Sequence, residues 1–191
     1  DLAHYPAQDL LRVLATLLHQ IATANDELRP NGQAASRSSN VRAERPSITT
    51  ASLGALGTPS STLCFHARNV PSISIESYLL RILKYCPTTN EVFLSLLVYF
   101  DRMSRMGLEE RAGDAEPHPG MRGFAIDSYN VHRLVIAGVT VASKFFSDVF
   151  YTNSRYAKVG GLPVHELNQL ELQFLLLNDF RLVVPLEEMQ R

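Results

Sequence analysis

The chain has 191 residues, a formal net charge of -1 and no stretch of more than two adjacent basic residues. Hydrophobic residues make up 46%, enough for one domain with a real core. The near-neutral balance exerts no long-range pull on a phosphate polymer, and no apolar run is long enough to cross a bilayer, so neither nucleic acid nor membrane is an expected partner.

The cysteines, Cys64 and Cys86, lack CxxC spacing, and the histidines form no HxxxH or HExxH pair. This argues against a disulfide framework and against a metal centre. It fits reduced thiols inside the cell, in nucleus or cytoplasm. No P-loop, GxGxxG or GxSxG occurs, so an enzyme activity, a cofactor and a small-molecule substrate all lack a motif to carry them. The chain starts at Asp1 without a methionine, as a fragment does, and residues 186–191 read as the start of a truncated C-terminal segment.

Pro6 suits the first turn of a helix that the spacing carries over residues 1–25. Leu10, Leu11, Val13, Leu14, Leu17, Leu18 and Ile21 form one apolar stripe on it. Residues 26–70 lose all periodicity and are rich in Ser, Gly and Pro, which reads as a flexible linker that cannot bury enough surface to order itself. Within it, Thr58-Pro59 is the only Ser/Thr-Pro pair of the chain and a candidate for a proline-directed kinase.

The dense part begins at Ser72. Ser74 suits an N-cap, with Glu76 in the favourable first turn. Ile75, Tyr78, Leu79, Ile82 and Leu83 follow at helical spacing, and Pro87 stops them. Thr88 and Glu91 suit a capping box for a second helix, which stops near Gly107. In it, every residue from Val92 to Phe100 except Ser95 is apolar. Residues 107–123 read as a loop. Asp127 suits the cap of a third helix reaching about Ser147, where Ala137, Gly138 and Ala142 leave room for a close neighbour. A short helical turn over 154–159 ends at Gly160-Gly161. Pro163 opens a fifth helix, with Leu167, Leu170, Phe174, Leu175 and Leu177 on one stripe, and Asn178 closes it. The chain then leaves extended through Phe180, Leu182 and Val184 to Pro185. No alternating run of strand length precedes that tail. The expected class is therefore all-α: five helices over 71–185, with the apolar second and third wrapped by the others, and an additional N-terminal helix.

Two charges sit within apolar stripes, Lys144 ending the third helix and Glu171 in the fifth. A charge at the edge of a core is costly unless it is paired or used, which points to a binding surface. A helix-end lysine reaching water and an ordinary solvated glutamate are the plainer alternatives. Asp148 stands four residues after Lys144, where a helix supports an ion pair. Asp101-Arg102 is either a surface pair or a structural one, with Asp101 holding two helices together. Glu166 suits the helix dipole. Phe150, Tyr151 and Tyr156 suit a core, with partner contacts as the alternative.

The block 71–185 resembles the cyclin box. The resemblance rests on Val98-Tyr99-Phe100-Asp101-Arg102-Met103 in the second helix, Ala142-Ser143-Lys144-Phe145 ending the third, and Gln169-Leu170-Glu171 in the fifth. Within cyclins it is similar to the single-box phosphate-pathway type of fungi and protists. Pro71-Ser72-Ile73-Ser74-Ile75, Asn153-Ser154-Arg155-Tyr156-Ala157-Lys158-Val159-Gly160-Gly161 and His165-Glu166-Leu167-Asn168 carry that closer likeness.

The resemblance implies a five-helix cyclin box around a central apolar helix. It also implies a regulatory subunit without an active site, which binds and activates a cyclin-dependent protein kinase in nutrient, phosphate or cell-cycle signalling. The third and fifth helices would hold the kinase's mobile helix inward, setting its Lys–Glu pair for phosphoryl transfer. Lys144 and Glu171 would bond the kinase backbone and each other, with Phe145 beside them. Leu175, Phe180, Leu182 and Val183 would form an apolar wall. Asp148 would face an arginine of the kinase activation segment, standing in for a phosphate. Asp101 would pair with an arginine early in the first box helix. Residues 72–76 hold none, so Arg81 is the nearest candidate. The chain has no Trp and no Met-Arg-Ala-Ile-Leu stretch, so the substrate-docking groove of cell-cycle cyclins is not expected. A cyclin-fold adaptor in a transcription complex and a helical scaffold without kinase binding are the alternatives.

Overall fold

The computed structural model describes residues 5–28, 64–109 and 124–189. Thr58, most of the expected linker and residues 110–123 lie outside the described residues. The described chain is all-α, with α1 Ala7–Glu27, α2 Ile75–Tyr85, α3 Asn90–Glu109, α4 Val131–Phe146, α5 Asn153–Gly160, α6 Val164–Leu177 and one further turn, α7 Leu186–Met189. No strand occurs among the described residues, and no described helix is long and apolar enough to cross a membrane.

The centre is α4, which packs against α2, α3, α5 and α6. Every residue from Leu134 to Ser143 is buried, as a helix apolar on all sides requires. Thr140 fits there because its hydroxyl donates to the Ile136 carbonyl at 2.8 Å. Gly138 is where neighbours come closest: a Cβ on it would lie 2.5 Å from Leu96 Cδ2 and 3.1 Å from Phe174 Cζ. The second box helix, α3, is less enclosed than its sequence suggests. Leu94, Leu97 and Val98 stay partly exposed, so a single helix rather than a pair is fully wrapped.

The ends of the helices show how local chemistry sets them. Ser74 Oγ accepts the Ser77 N–H at 3.2 Å and caps α2. By contrast, α3 begins at Asn90, which leaves the expected Thr88–Glu91 capping box one residue out of register. Asp127 caps the turn that leads into α4: its Oδ1 accepts the N–H groups of Tyr129 at 2.9 Å and Asn130 at 3.0 Å, and its carbonyl accepts the Val131 N–H at 3.1 Å. Asn130 Oδ1 returns the favour by accepting the Asp127 N–H at 2.9 Å.

The expected linker ends earlier than residue 70. Phe65 is fully buried and meets Phe124 edge-on at 6.1 Å. His66 Nε2 stands 3.1 Å from Asp127 Oδ2, and the Ala67 N–H donates to the Tyr129 carbonyl at 2.9 Å. One buried aromatic anchors this segment, a signal that local composition hides. Cys64, half-buried beside it, has its thiol pushed up to about 11 by that burial. Leu11, Leu14 and Leu18 of α1 are buried, and α1 lies along α2. Asn25 Nδ2 ties its end to the Ile126 carbonyl at 2.8 Å.

Two helix ends reverse the chain through left-handed backbone. After α5 the residue is Gly161, at φ 72°, where glycine carries no steric penalty. After α6 the same job falls to Asp179 and Phe180, at φ 50° and 55°. There the Phe180 N–H donates to the Leu175 carbonyl at 2.9 Å and the Asp179 N–H to Leu176 at 3.0 Å. That is a full Schellman closure made without glycine.

Candidate functional site

Lys144 lies in the last turn of α4, and its Nζ is 2.6 Å from Glu171 Oε1 on α6. The second oxygen of Glu171 accepts from Asn153 Nδ2 at 2.7 Å, and Asn153 donates its other hydrogen to Asn168 Oδ1 at 2.7 Å. Both carboxylate oxygens are thus used, which offsets the cost of holding the group largely out of water. A second ion pair joins the same two helices: Arg133 Nη2 reaches Glu166 Oε1 at 2.6 Å. Glu166 therefore does more than answer the helix dipole.

Large apolar side chains surround the Lys144–Glu171 pair in sequence and remain open to solvent. Phe145 and Phe146 meet edge-on at 5.0 Å, and both are exposed. Val149 is 81% exposed and Phe150 is 51% exposed, so Phe150 is a surface residue and not the core aromatic its sequence suggests. Tyr156 is the core aromatic of that stretch. On the α6 side, Leu172, Phe180 and Val183 are exposed, while Leu175 and Leu182 are half-buried against the core.

The segment after α6 is strapped to α3. Tyr99, fully buried, donates its hydroxyl to the Leu182 carbonyl at 2.7 Å; burial raises that phenol to about 12, so it remains a donor. Arg102 Nη1 donates to the Arg181 carbonyl, and Nη2 donates to the Val183 carbonyl at 2.9 Å. Nε and Nη2 also reach Glu188 Oε2, the latter at 2.7 Å. A guanidinium suits this because its donors point in fixed directions within one plane.

Two expectations are corrected here. Asp101 does not join two helices: it pairs with Arg105 one turn on, at 3.0 Å, and both side chains are more than half exposed. Arg81 instead turns to the Lys158 carbonyl at 3.4 Å. Of the Asp101-Arg102 dipeptide, it is the arginine that crosses between elements. Nor does Asp148 pair with Lys144 through a helix. Helix α4 ends at Phe146, Asp148 is exposed beyond it, and it makes no ion pair among the described residues. The sequence reading also passed over Asn153 and Arg133 as partners of the two glutamates. Their spacing along the chain, 18 and 33 residues from those glutamates, carries no local signal.

No group of three or more His, Cys, Asp or Glu that could hold a metal occurs among the described residues. A helical bundle whose distinctive surface is a cross-helix ion pair flanked in sequence by exposed phenylalanines has the makings of a protein-binding module. The chain belongs to the cyclin family, whose model matches residues 8–182 and so begins within α1. It is 48% identical over 193 residues to PHO85 cyclin-7 of Saccharomyces cerevisiae, covering 100% of this chain and 61% of that protein. It is 45% identical over 190 residues to PHO85 cyclin-like protein psl1 of Schizosaccharomyces pombe, covering 100% of this chain and 67% of the relative. With Cyclin-U2-2 of Arabidopsis thaliana it shares 39% over 137 residues, 72% of this chain and 54% of that one. The chain thus spans about three fifths of the length of PHO85 cyclin-7.

Proposed function

We propose that this chain is the regulatory, non-enzymatic subunit of a cyclin-dependent protein kinase of the PHO85 kind, and that it works in nutrient, phosphate or cell-cycle signalling inside the cell. The observation that carries the reading is the Lys144–Glu171 pair at 2.6 Å, flanked in sequence by exposed Phe145 and Phe146 and followed by exposed Phe180 and Val183. Lys144 has two further N–H donors for carbonyl oxygens at a helix end of the kinase. The phenylalanines and Val183, with half-buried Leu175 and Leu182, supply apolar surface for that helix to rest on. Asp148, exposed and without an ion pair among the described residues, is the carboxylate available to an arginine of the activation segment. Binding the active kinase conformation more tightly than the inactive one shifts its population toward activity.

The test is capture of kinase from a source-cell lysate, comparing the unaltered chain with Lys144→Glu and Glu171→Ala. Loss of one kinase from both variants, each still folded by circular dichroism, supports the reading. Retention by both overturns it.

A further inference from the structure

Helices α2 and α5 lie side by side and present Arg81, Lys84, Arg155 and Lys158, all exposed. Arg81 stands by the last turn of α5, donating to the Lys158 carbonyl at 3.4 Å. Arg155 stands by the end of α2, donating to the Tyr85 carbonyl through Nε at 2.9 Å and Nη2 at 2.6 Å. Its guanidinium lies 4.1 Å from the centre of the Tyr151 ring, and Lys84 Nζ lies 5.4 Å from that of Tyr85. Helix-end carbonyls and two tyrosines thus hold Arg81, Lys84 and Arg155 along one strip, with exposed Lys158 at its α5 end.

Charge pairing separates this strip from most of the other described cations. Arg12, Arg102, Arg105, Arg133, Lys144 and Arg181 each have a carboxylate within ion-pair distance. None of the four strip cations does among the described residues; elsewhere Arg68 shares that condition. The only acidic residue of α2, Glu76, stands 3.5 Å from Arg12 of α1, and α5 has none. The helix dipoles explain part of the arrangement, because cations favour helix C-termini. Each end carries only about half an elementary charge, however, so two ends leave roughly three positive charges unanswered.

We propose that the α2–α5 strip is a docking surface for an acidic polypeptide segment, distinct from the Lys144–Glu171 surface. Arg155 is already fixed by the Tyr85 carbonyl and by Tyr151, so it loses little freedom when its remaining donors meet a carboxylate. The strip also adjoins the first surface along the chain: Asn153, which holds Glu171, is two residues before Arg155. An acidic segment held there lies beside whatever occupies Lys144.

The test uses the full chain and a fluorescently labelled eight-residue glutamate peptide, followed by anisotropy. Saturable binding is expected, falling about tenfold or more between low and physiological salt as screening shortens the reach of the strip. Arg81→Glu with Lys158→Glu should weaken it at least about tenfold. The milder Arg81→Gln with Lys84→Gln should weaken it less, and serves if the reversal fails to fold. Arg68→Glu, the same charge change elsewhere, and Lys144→Glu should leave it unchanged. Equal weakening by Arg68→Glu overturns the proposal, as does binding insensitive to both strip variants. Tighter binding of duplex DNA of equal charge overturns the assignment to polypeptide. Retained peptide binding by a Lys144→Glu chain that has lost kinase separates this surface from the other.

Discussion

Arg102→Ala should loosen the segment after α6 while leaving the bundle folded. Arg102 donates to the carbonyls of Arg181 and Val183, and its side chain is 21% exposed. Hydrogen bonds from a charged donor are worth about 1.5–3 kcal/mol each when sheltered, and partial exposure trims them toward the lower end. The ion pair to Glu188, which is 41% exposed, adds about 1 kcal/mol at most. Losing the strap should therefore cost the tail about 3 kcal/mol of local stability, with Tyr99 still holding Leu182. That corresponds to roughly a 100-fold rise in local opening. Hydrogen exchange reads it directly, since the Arg181 and Leu182 amides donate within the chain to Asn178 and Phe180 at 2.8 and 3.1 Å. Both should exchange faster, while the amides of α4 keep their protection. On the proposed function, kinase affinity should fall by up to the same factor, because the ordered tail would be what presents Leu182 and Val183. Unchanged exchange at 181–182, or faster exchange spread evenly over the bundle, refutes this account of the strap.

Phe180→Gly should move stability and binding in opposite directions. A bulky side chain at φ 55° costs about 1–2 kcal/mol, and a ring that is 58% exposed returns little burial in exchange. The thermal midpoint should therefore hold or rise by a few degrees while kinase capture weakens; a clear drop in midpoint counts against strain at this turn. Gly138→Ala should destabilise the fold by about 1–3 kcal/mol in chemical denaturation, because the added carbon meets Leu96 and Phe174 in a closed core. His132 sets a pH dependence. Its Nε2 lies 2.9 Å from the Ile73 carbonyl, its Nδ1 has no partner among the described residues, and burial lowers its pKa below the usual histidine value. The unfolded chain then takes up the proton first, so this contribution is complete above about pH 6.5 and is lost as pH falls from there toward the folded value. Denaturation midpoints of His132→Phe should show a smaller loss over that window; identical profiles would contradict it.

Helix existence was legible from apolar spacing because burial is what stabilises these helices. Lys144 and Glu171 stood out as charges in apolar stripes, but that pattern alone favours a helix-end lysine reaching water; their pairing across 27 residues needed the family resemblance. The family resemblance pointed to the same two residues. What stayed hidden shares a physical cause. The acceptors of Arg102 are backbone carbonyls, which every residue has, so no residue type marks them. The real partner of Asp101 is Arg105, a neighbour on its own helix, and only the fold shows that no arginine of α2 comes within reach of it. Asn153 belongs to a likeness-bearing stretch, yet its role depends on the approach of α5 to α6, which is a matter of packing. Phe65 was lost in a polar neighbourhood because composition averages over a window that a single core side chain does not share.

The carboxylate on α6 also decides how the cyclin surface is found by whatever binds it. With its positive end met at 2.6 Å, Lys144 presents a short dipole, whose field dies away within a few ångströms. The Lys144–Glu171 pair itself should therefore add little salt dependence to encounters at that surface. The arginine–lysine strip on α2 and α5 should behave in the contrary manner, fast to capture in dilute buffer and quick to let go in brine.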